Sequence, residues 1–161
     1  MSRAFVKEDD GSRPEPLPEL PVSPHPNLVT ARGLRLIEAR LAAIEAALAA
    51  HPGETETARL RRDQRYWSHR HATARLTLPD PADPAAQFGS RVTYATEDGE
   101  ARTVTITGED EADPAAGRVA YTAPVARALI GATPGSTATA RIRGEPAELE
   151  VLAVEIPPDA E

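Results

Sequence analysis

Thr30-Ala31-Arg32-Gly33-Leu34-Arg35-Leu36-Ile37-Glu38-Ala39-Arg40-Leu41-Ala42-Ala43-Ile44-Glu45-Ala46-Ala47-Leu48-Ala49-Ala50, closed by His51-Pro52-Gly53, is the stretch that sets the architecture. Leu34, Ile37, Leu41, Ile44 and Leu48 follow one another at intervals of three and four, the period of a single stripe along an α-helix. Thr30, just ahead of them, is a residue type whose hydroxyl caps the first free amides of a helix. Proline lacks an amide donor and glycine accepts turn dihedrals, so His51-Pro52-Gly53 reverses the chain. A second helix is expected from Glu54 to Leu76, with a matching but weaker seam of Thr57, Leu60, Gln64, Trp67, His71 and Ala74. Trp67, the sole tryptophan, is expected over the alanine-rich face of the first helix. The simplest outcome is an antiparallel helical hairpin, a coiled coil occupying residues 28–78.

On either side of that hairpin the composition changes. Residues 1–27 hold Pro14, Pro16, Pro18, Pro21, Pro24 and Pro26 among charged and polar neighbours, which blocks helix and sheet ladders and predicts an extended tail; Phe5 and Val6 at its end read as a disordered tip, with an anchor as the alternative. Residues 79–85 alternate proline with aspartate and read as a linker. From 86 to 156 the period becomes two, in Val92 and Tyr94, Val104 and Ile106, Val119 and Tyr121, and Leu149, Val151 and Ala153. Glu97-Asp98-Gly99-Glu100 predicts a turn, and Pro124 to Ile130 one short helix ended by Gly131. Residues 157–161 form a C-terminal tail. The fold class expected is α+β, a helical hairpin followed by a small β-rich domain with one short helix.

Composition removes several functions. No cysteine is present, so disulfides, thiolate catalysis and cysteine-bearing zinc sites are excluded. Aromatic residues make up 4% of the chain, too few to line a large apolar ligand cavity or a proline-binding pocket. No apolar stretch has the length or flanks of a signal peptide or a membrane span, which points to a soluble, cytoplasmic protein without a membrane partner. The net charge of −7 is unevenly spread: residues 28–78 carry nine arginines against five acids, and residues 86–161 carry six against thirteen. Two regions of opposite sign indicate two modules.

Four blocks of this sequence resemble those of bacterial Gre transcription elongation factors, the GreA/GreB family. They are Leu28 to Gly33, Ile106 to Asp113, Ala123 to Gly131, which is similar to a Ser-Pro-x-Ala-Arg-x-Leu-x-Gly helix, and Leu149 to Ile156. The likeness covers about residues 28–156. It implies a C-terminal domain of the FK506-binding-protein-like type (FKBP-like), which would grip the largest subunit of RNA polymerase at the rim of the secondary channel while the hairpin enters it. It also implies a monomeric accessory factor rather than an enzyme, acting on elongation, with any RNA cleavage carried out by the polymerase. By the same resemblance the docking surface comprises Asp110, Glu111, Thr122, Ala123, Pro124 and Val125, with Ala123 replacing the family's usual serine. Arg59, Arg61, Arg62 and Arg65 correspond to a basic patch facing polymerase or nascent RNA; their bland reading is a solvated helix face.

The hairpin tip departs from the pattern. An Asp-x-x-Glu-Asn-Ala run, whose acids help hold the polymerase's magnesium in the better known members, is replaced by His51-Pro52-Gly53-Glu54-Thr55-Glu56. Glu54 and Glu56 are the carboxylates that could approach a shared magnesium; their alternative role is to offset the dipole of the second helix. Each arm is about a dozen residues shorter than the resemblance calls for, which at the helical rise withdraws the tip by about 20 Å. The sequence therefore points to elongation control without cleavage stimulation. It leaves open a channel-occupying competitor, similar in outline to the nucleoside diphosphate kinase regulators, and a stand-alone protein-binding adaptor. No cofactor of its own is expected.

Overall fold

The computed structural model describes residues 16–158, so Phe5 and Val6 lie outside the described residues. In chain order the elements are β1 (Leu28–Val29), α1 (Ala31–Ala49), α2 (Glu54–Thr73), β2 (Arg75–Leu76), β3 (Arg91–Ala95), β4 (Ala101–Thr107), β5 (Arg118–Ala120), α3 (Pro124–Leu129), β6 (Thr137–Ile142) and β7 (Glu145–Glu155). Short 3-10 turns at Glu109–Glu111 and Pro114–Ala116 bridge β4 to β5. Helix and sheet are thus mixed, with the two long helices preceding a five-stranded sheet.

Thr30 starts α1 as its residue type suggests: extended at φ −76° and ψ 168°, it accepts the Gly33 amide at 2.9 Å, a contact worth about 1 kcal/mol. Ile37 and Ile44 of the apolar stripe are buried while Leu34, Leu41 and Leu48 are half-buried. Of the α2 seam only Leu60 is buried; His71 is exposed and lies 3.7 Å from Glu38. Trp67 is half-buried, edge-on to Tyr66 at 5.1 Å and 6.0 Å beneath the Arg40 guanidinium. Arg40 of α1 thus sets a cation over the tryptophan ring.

One helix boundary moves: α2 stops at Thr73 instead of Leu76, while Leu28 and Val29, just ahead of the Thr30 cap, form a short strand. The cause is pairing: Leu28 and Val29 lie parallel to Arg75 and Leu76. The Arg75 amide donates to the Asn27 carbonyl at 2.8 Å and the Thr77 amide to the Val29 carbonyl at 3.0 Å. A buried Asn27 completes the stop by donating through Nδ2 to the Arg70 carbonyl at 2.7 Å, one of the orphan acceptors at a helix end. This ribbon ties the start of α1 to the end of α2.

The sheet runs β5-β4-β3-β7-β6, antiparallel except for the β4–β5 pair, with a bulge between Thr93 and Tyr94. Val92, Ile106, Leu149 and Val151 fill its core, and α3 adds Ala126 and Leu129. Strand β6 carries no clear apolar run, because the residues it turns inward are Ala138, Ala140 and Ile142. The helix at Pro124 ends as expected, with Gly131 at φ +87°.

Candidate functional site

Three consecutive acids at the end of β4 form the joint between the helices and the sheet. β4 delivers the chain to Gly108, where a Cβ would stand 2.4 Å from the Leu28 carbonyl oxygen. Only glycine lets the acidic turn approach β1 this closely. From there Glu109, Asp110 and Glu111 send their side chains to three different segments.

Glu111 reaches α1. Glu111 is 6% exposed, and its carboxylate accepts from Thr30 Oγ1 at 2.5 Å and from an Arg32 guanidinium nitrogen at 3.0 Å. The Thr30 hydroxyl thus caps α1 with its lone pair and docks α1 on the sheet with its proton. Asp110 reaches α2, accepting from Tyr66 Oη at 2.9 Å and from Arg70 Nε at 2.5 Å. Tyr66 and Arg70 are four apart and so share a helix face. Burial, then the hydrogen bond to Asp110, push the Tyr66 hydroxyl up to about 12. Glu109 reaches the segment before β1, accepting from Ser23 Oγ at 3.0 Å and from Thr122 Oγ1 at 3.3 Å. Beside it, the Tyr121 hydroxyl donates to the Pro26 carbonyl at 2.7 Å.

The residues singled out from sequence are therefore not one open patch. Asp110 and Glu111 have their carboxylates engaged within the molecule. Thr122, Ala123 and Val125 are half-buried, and Pro124 alone of the six is exposed. Along α2, Arg59 lies 3.7 Å from Glu56, Arg61 donates to Gln64 at 3.0 Å, and Arg62 grips Asp63 through two nitrogens at 3.0 and 2.7 Å. Arg65 pairs at 2.5 Å with Glu19 of the proline-rich segment, and that guanidinium holds the Glu19 carboxyl below its usual range. Arg70, part of the same basic run in the sequence, is 2% exposed and belongs to the joint. At the tip, Glu54 and Glu56 are exposed in the first turn of α2, whose N-cap Gly53 offers no side chain; there their charge offsets the helix dipole. No group of three or more metal-ligating side chains occurs among the described residues.

Sequence reading missed Tyr66, Asn27 and Arg32. Tyr66 and Arg70, an aromatic and a cation at helical spacing inside a polar run, were the available signal. The carboxylate they meet lies forty residues on and nothing local points to it.

A long helical pair is thus locked by a buried ionic joint to a five-stranded sheet. Residues 73–156, just over half of the chain, match the family model described as transcription elongation factor, GreA/GreB, C-term. The chain belongs to the GreA/GreB family. It is 44% identical over 70 residues to transcription elongation factor GreA of Bradyrhizobium diazoefficiens, a match covering 43% of this chain and 45% of that protein. With GreA of Ruegeria pomeroyi it shares 38% identity over 86 residues, 50% of this chain and 55% of the relative. The chain thus spans about half the length of these curated relatives. Among solved structures it is similar to GreA factor homolog 1 (Gfh1) of Thermus thermophilus, with a TM-score of 0.41 and 17% identity over 77% of this chain and 90% of that one. No described helix is long and apolar enough to cross a membrane.

Proposed function

We propose that this protein is a monomeric, cytoplasmic accessory factor that binds RNA polymerase at the secondary channel and modulates elongation by occupying it, without stimulating transcript cleavage. In this reading α1 and α2 act as the Gre hairpin, the sheet is the FKBP-like docking domain on the largest subunit, and exposed Pro124 with Thr122, Ala123 and Val125 forms the contact. Family membership through the C-terminal half supports docking. The observation that carries the loss of cleavage is the tip. Glu54 and Glu56 are exposed helix-start carboxylates, and α1 at 19 residues is roughly 28 Å long, too short to bring them to a distant metal. A Gre-type factor without that reach blocks the channel rather than lending a ligand.

Two measurements test this. Core polymerase is expected to be retained by the tagged protein and lost with Pro124→Glu; retention of polymerase by that variant, or no retention by wild type, overturns the docking. On a stalled, backtracked complex the protein should leave transcript length unchanged. Shortening that disappears in the E54A/E56A double variant would instead establish cleavage stimulation.

A further inference from the structure

We propose that the groove between α3 and the β6–β7 turn is a binding site for an acidic segment of a partner protein. The groove, about 610 Å³, is lined by Arg127 of α3, Arg141 of β6 and Arg143 of the turn, over a floor that includes Pro124, Ala128 and Ala140. Among the described residues no acidic side chain lines it. Residues 86–161 hold only six arginines against thirteen acids, so half of the domain's positive charge is gathered here. Elsewhere in this domain Arg102 and Arg118 have acidic partners, at 3.4 and 3.3 Å. Among the described residues the three groove arginines have none; Arg141 donates only to the Gly144 carbonyl, at 3.4 Å. All three are exposed, and apart from the Arg141–Gly144 contact their guanidinium N–H groups are left for carboxylates to accept from.

The turn adds an independent sign. Ile142 pairs with Glu145, so Arg143 and Gly144 form a two-residue connection in which both have positive φ, +52° and +85°. Asparagine and glycine favour that geometry, and a long side chain at its first position is strained by about 1 kcal/mol. Arginine stands there nonetheless, with its side chain at the groove.

The occupant is a protein segment rather than a nucleic acid because of what accompanies the arginines. Single-stranded nucleic acid is held by aromatic platforms as well as cations, and among the described residues no aromatic side chain lines this groove. An apolar floor rimmed by arginine is the composition of a protein interface. Of the residues proposed for polymerase docking only Pro124 is shared, so the site stands or falls apart from that reading.

Fluorescence anisotropy of a labelled peptide alternating glutamate and alanine, titrated with the full chain at low salt, tests the site. Wild type should bind it, and R127Q/R141Q should weaken binding by about tenfold or more, as loss of close charge pairs does. R102Q, which removes the same kind of charge elsewhere in the domain, should leave binding unchanged, with circular dichroism establishing that each variant is folded. Equal binding by R127Q/R141Q and wild type overturns the proposal. So does an oligouridylate of equal length that binds more tightly than the peptide and loses that advantage in R127Q/R141Q.

Discussion

Replacing Asp110 with alanine removes the only acidic partner that a buried cation, Arg70, has among the described residues. Arg70 and Asp110 have side chains 3% and 13% exposed, with Nε and Oδ2 2.5 Å apart. Alanine leaves the guanidinium out of water with no counter-charge, a change that typically destabilises by about 3–5 kcal/mol. It also strips Tyr66 of its acceptor, worth about another 1 kcal/mol. For comparison, Arg65 and Glu19 approach equally closely but are 58% and 62% exposed, and pairs of that kind contribute about 0–1 kcal/mol. Burial, not distance, separates the two. Urea unfolding followed by fluorescence of Trp67, which lies edge-on to Tyr66, should report a large loss for D110A and almost none for E19A. The pair D110L/R70M should recover most of the loss, because the penalty comes from the unpaired charge rather than from the missing bond. D110A within about 1 kcal/mol of wild type would refute a buried ionic joint.

Two further outcomes follow from the same joint. Gly108→Ala should destabilise by about 1–3 kcal/mol, because its Cβ would sit 2.4 Å from the Leu28 carbonyl oxygen and one backbone must move; thermal melts check this. At high pH the joint should weaken through Tyr66, whose hydroxyl ionises near 12 when folded against about 10 when unfolded. Between those values the unfolded chain binds fewer protons, so stability holds below pH 10 and falls as pH rises toward 12. Allowing for solvent screening, the loss is at most about 1–2 kcal/mol, and denaturation at stepped pH should show it diminished in Tyr66→Phe.

The parts legible in the sequence are those written in local chemistry. Thr30 ahead of a three-and-four apolar stripe, the Pro52-Gly53 break, the Glu97 to Glu100 turn and the Pro124 helix each need only neighbours a few residues away. β6 escaped because alanine at Ala138 and Ala140 fills the inward positions of a strand packed under α3, where a larger side chain has no room to announce itself. The ends of the helical segment escaped for a different reason. Arg75 and Leu76 have nothing against helix in their own chemistry, and it is parallel pairing with Leu28 and Val29 that draws them into a ribbon.

The acidic turn shows where local reading misleads most. Glu109-Asp110-Glu111 is a run of like charge, and such a run reads as solvated or as a contact for another molecule. Its charges are separated instead by direction, one to the segment ahead of β1, one to α2 and one to α1, with Ser23, Arg70 and Arg32 respectively as donors. Repulsion between neighbouring carboxylates is tolerable because each has hydrogen-bond donors of its own, two of them arginines. A partner binding beside Thr122 and Pro124 would touch residues hydrogen-bonded to this turn, through Thr122 and Glu109, before it touched either helix. Asp110 and Glu111, which hold the helical pair, are therefore contiguous with Glu109, which backs the proposed docking face. A substitution there tests assembly of the molecule first and recognition second, whereas exposed Pro124 separates the two.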